Sequence, residues 1–245
     1  MTSTGRFTFP APGRKCKMRT LLSWSSGKDC AFALHVLREQ ARRGESDVEV
    51  VGLLTTLNES AGRVAMHAVR EELLDAQAAG AGLPLWKVWL PFPCSNEQYE
   101  ARMGAAMERA RNEQIEAVAF GDLFLEDIRR YREEKLAPTG IRPLFPLWKR
   151  PTPDLSREML RSGLRAVVTC VDTKALSAAF AGRVYDESFL SDLPAEVDPC
   201  GENGEFHTFC TAGPMLSRPI AVTVEERLER DGFVYADLKA EYSKS

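Results

Sequence analysis

A chain of 245 residues that is 44% hydrophobic can bury one sizeable core or two modest ones. Its net charge of -3 argues against a general nucleic-acid binder, whose affinity comes from clustered basic surface, and no apolar run approaches the ~20 residues of a membrane span. Three histidines far apart in sequence (His35, His67, His207) and six cysteines without a Cys-x-x-Cys pair speak against zinc and leave reduced thiols in a cytoplasmic chain as the default.

Arg6, Arg14, Lys15, Lys17 and Arg19 cluster near the start, but no apolar stretch of the kind a secretory signal needs follows, and residues 1–18 read as a disordered tail. The apolar run 20–24 predicts a first strand. It is broken by Ser25-Ser26-Gly27-Lys28-Asp29-Cys30 and followed by a helical stretch at 31–42. A strand that turns into a helix through small residues presents free backbone N–H groups and the positive end of a helix dipole, which together suit a phosphate. In that turn Gly27 would let the backbone approach an anion, Lys28 would add a mobile positive charge, and the hydroxyls of Ser25 and Ser26 could donate further bonds. The spacing is not that of a Walker loop, because Asp29 follows Gly27-Lys28 and position 22 is Leu; a three-glycine dinucleotide fingerprint is also absent.

Further strands are expected at 48–56, 85–90 and 117–120, with helices at 64–79 and 96–112 between them. Met66, Val69, Leu73 and Ala76 recur at helical spacing, and Ser95 with Gln98 three residues on forms a capping box. His35 and His67 fall within helical patterns and read as ordinary helix residues. The alternation predicts an α/β fold built on a Rossmann-like, doubly wound, mostly parallel sheet. Ligands of such sheets collect beyond the carboxyl ends of the strands. The Ser25 turn, the segment Asn58-Glu59-Ser60 and the pair Gly121-Asp122 are therefore expected to converge on one edge, with Asp122 either a ligand contact or the cap of a helix at 125–132.

Pro138, Gly140, Pro143, Pro146, Pro151 and Pro153 mark a rigid passage, in which Trp148 is either a packing anchor or a substrate contact. They divide the chain into a first domain at 19–135 and a smaller C-terminal α/β domain at 136–245. The second is expected to hold a helix opened by Pro153 or Asp154, a strand at 166–171, helices near 175–180 and 187–193, and a terminal hairpin with arms at 221–229 and 233–241 around Asp231-Gly232. Residues 198–208 gather Asp198, Glu202, Glu205 and His207; carboxylates at that density repel one another unless a cation, an amine or a proton relieves them.

The Ser25-to-Cys30 turn resembles the Ser-Gly-Gly-x-Asp-Ser loop of the PP-loop ATP pyrophosphatases, with Ser26 in place of the first Gly and Cys30 in place of the last Ser. Gly201-Glu202-Asn203-Gly204-Glu205-Phe206-His207-Thr208, after Cys200, resembles the C-terminal signature of the diphthine–ammonia ligase family. Phe120-Gly121-Asp122-Leu123 and Pro146-Leu147-Trp148 are similar to that family's Gly-Asp and Pro-Leu-Trp elements, in the same order. The resemblance implies an adenine nucleotide alpha hydrolase-like enzyme that uses ATP and Mg²⁺. It implies nucleotide binding by Ser25, Ser26, Gly27, Lys28, Asp29 and Cys30, adenine against backbone near Leu54 and Thr55, catalytic roles for Lys28 and Asp29, and Mg²⁺ placed by Asp29. Asp122, Glu202, Glu205 and His207 would meet the second substrate, with Glu205 and His207 catalytic. A substrate carboxylate would attack the α-phosphorus of ATP, expel pyrophosphate and leave an acyl-adenylate for ammonia or an amine to open. Another PP-loop chemistry such as sulfur transfer to RNA, and a nucleotide-binding regulator without turnover, stay open as alternatives. So do the acceptor, whether a modified protein or not, and assembly into a homodimer.

Overall fold

The computed structural model describes residues 17–60, 63–64 and 69–241. Residues 1–16 of the expected tail, and Met66 and His67 of the expected second helix, lie outside them. Lys17 and Met18 belong to the ordered fold, because Met18 opens the first strand and Lys17 pairs with Glu49 at 3.0 Å.

The first half of the chain alternates as expected: β1 (Met18–Ser23), α1 (Lys28–Arg42), β2 (Val48–Asn58), β3 (Arg63–Val64), α2 (Glu71–Ala81), β4 (Leu85–Leu90), α3 (Asn96–Asn112), β5 (Ala117–Ala119), α4 (Glu126–Leu136) and β6 (Arg142–Leu144). Five strands are parallel in the order β4-β2-β1-β5-β6. Successive side chains of β1 go to opposite faces, Leu22 into the core shared with α1 and Leu21 into the core under α3 and α4. Arg63 and Val64 pair antiparallel with Asn58 and Leu57, so the helix expected from residue 64 begins only at Glu71. The Ser95–Gln98 capping box opens α3 as read. Asp122 is not a cap, since α4 starts after Leu125. The proline-rich span contributes β6, so the first sheet continues past residue 135 to Leu144.

The second half forms an antiparallel sheet. Its elements are α5 (Thr152–Arg161), β7 (Arg165–Asp172), β8 (Val184–Tyr185), α6 (Glu187–Asp192), β9 (Phe206–Ala212), β10 (Val222–Arg230) and β11 (Phe233–Ala240). β7 is central, with β9 on one side and β8 and β11 sharing the other; β10 and β11 make the expected hairpin around Asp231-Gly232. In place of the helix expected near 175–180 there is one 3-10 turn, Ala178–Phe180, opened by the Ser177 hydroxyl.

α1 joins the halves. Its first turns bury Cys30, Ala31, Phe32, Ala33 and Leu34 all round, because the helix lies between β1 and β2 on one side and β9 on the other. A single hydrophobic core therefore runs from Leu22, Leu34 and Leu73 into Leu155, Val168 and Phe209. No helix among the described residues is long and apolar enough to cross a membrane.

Candidate active site

The chain moves outward from β1 through β2 to β4, then crosses back to β5 on the other side of β1. That places a topological switch point between β1 and β5, where the loops after the two strands part and leave a crevice. The loop Trp24-Ser25-Ser26-Gly27 follows β1, and Phe120-Gly121-Asp122 follows β5. Gly121 lies directly on the first turn of α1: a Cβ there would meet Cys30 N at 2.9 Å and the Asp29 carbonyl carbon at 3.0 Å. Only glycine lets the two loops come so close.

The loop is fixed from two sides. Trp24 N donates to Leu54 O at 2.7 Å on β2. Trp24 Nε1 donates to Gln77 Oε1 at 2.8 Å, and Gln77 Nε2 donates in turn to Ser26 O at 3.0 Å and Cys210 O at 2.7 Å. From the second sheet, Cys210 N donates to Ser26 O at 2.9 Å, and Thr208 Oγ1 accepts from Lys28 N at 3.1 Å. Strand β9 is thus stitched to the loop, and the Lys28 N–H at the start of α1 is already occupied.

Two adjoining cavities open here. One, of about 380 Å³, is lined by Leu54, Thr55 and Thr56 with Tyr99, Met103 and Met107 of α3 opposite. The other, of about 250 Å³, is lined by Gly27, Lys28, Asp29, Cys30 and Asp122 on one side and by Glu202, His207 and Thr208 on the other. Ser23, Ser25, Phe120 and Arg132 border both. Most residues singled out from the sequence therefore meet. Ser26, Glu205 and the segment 58–60 do not join them. Ser26 lines neither cavity and has a buried hydroxyl without a hydrogen-bond partner. Glu205 is 6% exposed, and its carboxylate accepts from Asp198 N, Asn203 N and Asn203 Nδ2 at 2.9–3.0 Å, closing its own loop. Asn58-Glu59-Ser60 stands outside both cavities, with Glu59 paired to Arg102 at 3.2 Å.

Lys28 is not a mobile charge. It is 2% exposed, lies 5.5 Å from the ring centroids of Tyr185 and Phe206, and donates through Nζ to both Asp29 oxygens (3.0 and 2.8 Å) and to the Cys200 carbonyl. Burial alone would push its pKa down; the Asp29 carboxylate leads the opposing charges and holds it above the ordinary lysine value. Asp122 places its oxygens 2.7 and 3.4 Å from Arg132 Nε and Nη2. Cys30 donates its thiol to Gly27 O at 3.1 Å, and burial pushes it up to about 11, so the thiol keeps its proton at pH 7.

The acidic segment is relieved mainly by backbone N–H groups. Asp198 Oδ1 accepts from Cys200 N at 2.9 Å and Glu202 N at 3.3 Å. Glu202 Oε1 accepts from Leu123 N at 2.7 Å and Phe124 N at 3.4 Å, which ties the second sheet's loop to the chain beyond β5. Burial, joined by the nearby Asp29 charge, still raises Glu202 to about 7 against those two bonds. Burial and the Lys28 charge lower His207 to about 4, leaving it neutral at pH 7. Of the two, the carboxylate raised to about 7 is the one suited to take a proton from an amine near pH 7.

Sequence models of the diphthamide synthase N-terminal domain and C-terminal domain match residues 18–143 and 152–241. The chain belongs to the diphthine–ammonia ligase family. The diphthine–ammonia ligase of Mus musculus is 27% identical over 238 residues, covering 89% of this chain and 88% of the mouse protein. That of Bos taurus is 30% identical over 244 residues with the same coverage, and that of Homo sapiens 32% identical over 176 residues, covering 65% of this chain and 66% of the human one. Its membership in a family of ligases makes this protein an enzyme. Within this diphthine–ammonia ligase fold, sequence reasoning missed Gln77 and Arg132. Gln77 had a signal, a lone amide on the apolar stripe of Leu73, Leu74, Ala78 and Ala81; Arg132, ten residues past its partner, had none.

Proposed function

We propose that the protein adenylates a carboxylate at the expense of ATP, releases pyrophosphate, and passes the acyl group to ammonia or an amine. The continuity of the two cavities carries this reading: an apolar space beside β2 adjoins a charged one at the β1 loop, so a nucleotide lying across them has its α-phosphorus at the junction. Adenine lies against Leu54 and Thr55. The β- and γ-phosphates lie on Ser25, Gly27 and the first turn of α1, where backbone N–H groups and the helix dipole favour them.

Among the described residues no three metal-binding side chains cluster. Mg²⁺ needs no such cluster, since one or two carboxylates with phosphate oxygens and water satisfy it. Asp29, with a side chain 27% exposed and lone pairs left beyond Lys28, fits that role. The ion would add positive charge beside the leaving pyrophosphate. Glu202 takes the proton of the attacking amine, neutral His207 assists, and Glu205 holds the loop that presents them. Residues up to Leu144 form the nucleotide-binding unit, and 152–241 cover it. The described cysteines are all free, which supports a reducing compartment, the cytoplasm.

The test is product analysis with ATP, ammonium and a diphthine-bearing protein. AMP, pyrophosphate and amide appearing in equal amounts is the expected result. ADP and phosphate in their place would sink the proposal.

A further inference from the structure

Of the four described residues that border both cavities, Arg132 alone is charged. The other described cations that line them border one cavity each: Lys28, enclosed by Asp29, the Cys200 carbonyl and two aromatic rings, lines only the charged one, and Lys135, paired to Glu100, only the apolar one. Arg132 stands on α4 with its side chain 28% exposed and its Cζ 4.4 Å from the Phe120 ring centroid. Its fork donates to Asp122 through Nε at 2.7 Å and Nη2 at 3.4 Å. A guanidinium has five N–H donors, and this geometry engages two.

We propose that Arg132 binds the α-phosphate of the nucleotide and stabilises the charge that builds on its non-bridging oxygens during adenylation. This rests on the AMP-forming reading given above. The substrate carboxylate oxygen bonds to the α-phosphorus while the bond from that phosphorus to the bridging oxygen breaks. Pyrophosphate departs with the electron pair, and the guanidinium keeps its proton throughout. A planar donor pair suits two phosphoryl oxygens, whereas the ammonium of Lys28 is shut away from them. Asp122 is a positioning residue: it holds one edge of the guanidinium so that the remaining N–H groups serve the junction, and the Phe120 ring supports its face. The pair Asp122–Arg132 would thus set where along the crevice the reacting phosphorus stops.

Calorimetric titration of adenosine and of AMP into the wild-type protein, Arg132→Gln, Arg132→Lys and the double variant Asp122→Asn/Arg132→Gln separates this from a structural role. A charge-assisted hydrogen bond contributes about a decade of affinity or more. Arg132→Gln is therefore expected to weaken AMP about tenfold or more while adenosine stays within about twofold, with Arg132→Lys recovering part of the loss. The double variant should match Arg132→Gln, which shows that an uncovered Asp122 carboxylate is not what repels AMP. AMP affinity unchanged in the double variant would overturn the proposal, and so would adenosine and AMP weakening in step. Wild-type protein that binds neither ligand would instead overturn the cavity assignment on which the proposal rests.

Discussion

Ser26 shows how one residue can work against the fold that contains it. Its φ is 72°, in the left-handed region that costs an L-residue roughly 1–2 kcal/mol, and its hydroxyl is buried without a hydrogen-bond partner. The backbone must turn there, because Ser26 O accepts from both Gln77 and Cys210. Ser26→Gly removes the steric strain and the orphaned hydroxyl, and gives back part of the gain through the greater freedom of unfolded glycine. A net gain of about 1 kcal/mol is expected, read as a higher urea midpoint at unchanged slope; a lower midpoint would show that the hydroxyl is needed. Glu202 and His207 make a second residue-scale case. Glu202, raised to about 7, binds a proton in the folded state that the unfolded chain has lost, so its contribution to stability falls as pH rises from about 4.5 to 7. His207, lowered to about 4, refuses a proton that the unfolded chain takes up, so its contribution falls as pH drops from about 6.5 to 4. The two slopes oppose each other between about pH 4.5 and 6.5. Glu202→Gln should leave the histidine slope alone, with stability rising with pH through that window, and should also remove the rise in amide formation near pH 7. Urea midpoints and rates across pH 4–8 check both; an unchanged profile would remove Glu202 from the site.

At the scale of elements, Gln77 is the hinge pin between α2, the β1 loop and β9. One amide serves Trp24 Nε1, Ser26 O and Cys210 O while fully buried. Gln77→Leu keeps the volume but leaves the indole N–H and the Cys210 carbonyl unmatched in a dry interior. A loss of about 3 kcal/mol is expected from two such groups, together with weaker ATP binding, because the loop loses its fixed path. Denaturation and calorimetric titration measure these separately, and a variant as stable as the wild type would refute the role. Such contacts also mark where sequence reading stops. The Ser95–Gln98 capping box was legible because its whole chemistry lies within four residues. β3 and β6 were not, since two or three residues beside prolines or in an apparent helix repeat become strands only when β2 or β5 offers a ladder. Glu202 and Glu205 look interchangeable in the sequence. What separates them is the backbone: Gly201 and Gly204 take φ of 68° and 87°, and a Cβ on Gly201 would meet Phe206 O at 2.7 Å. That path turns Glu205 back onto Asn203 and sends Glu202 across to Leu123.

For the whole molecule, the two sheets cannot be treated as independent domains that meet over a ligand. The core is continuous between them, and α1 is buried from Cys30 to Leu34 because β9 covers what the first sheet leaves. Polar ties reinforce it: Arg70 meets Asp237 at 2.5 and 3.2 Å, Arg38 reaches Met215 O at 3.1 Å, and Ser217 N donates to Gly80 O at 2.8 Å. Removing the second sheet would open the side of α1 that β9 covers and leave the charged end of Lys28 without its enclosing rings. A unit so built should unfold in one step, since neither half buries enough apolar surface to persist once the shared layer opens. Scanning calorimetry is expected to show one transition with equal calorimetric and van't Hoff enthalpies. Saturating ATP should move that single transition upward, because the ligand touches only the assembled crevice and binds no unfolded chain. Two separable transitions, with ATP shifting just one of them, would mean that the second sheet is a detachable cover and that the loop at Ser25 keeps its shape without β9.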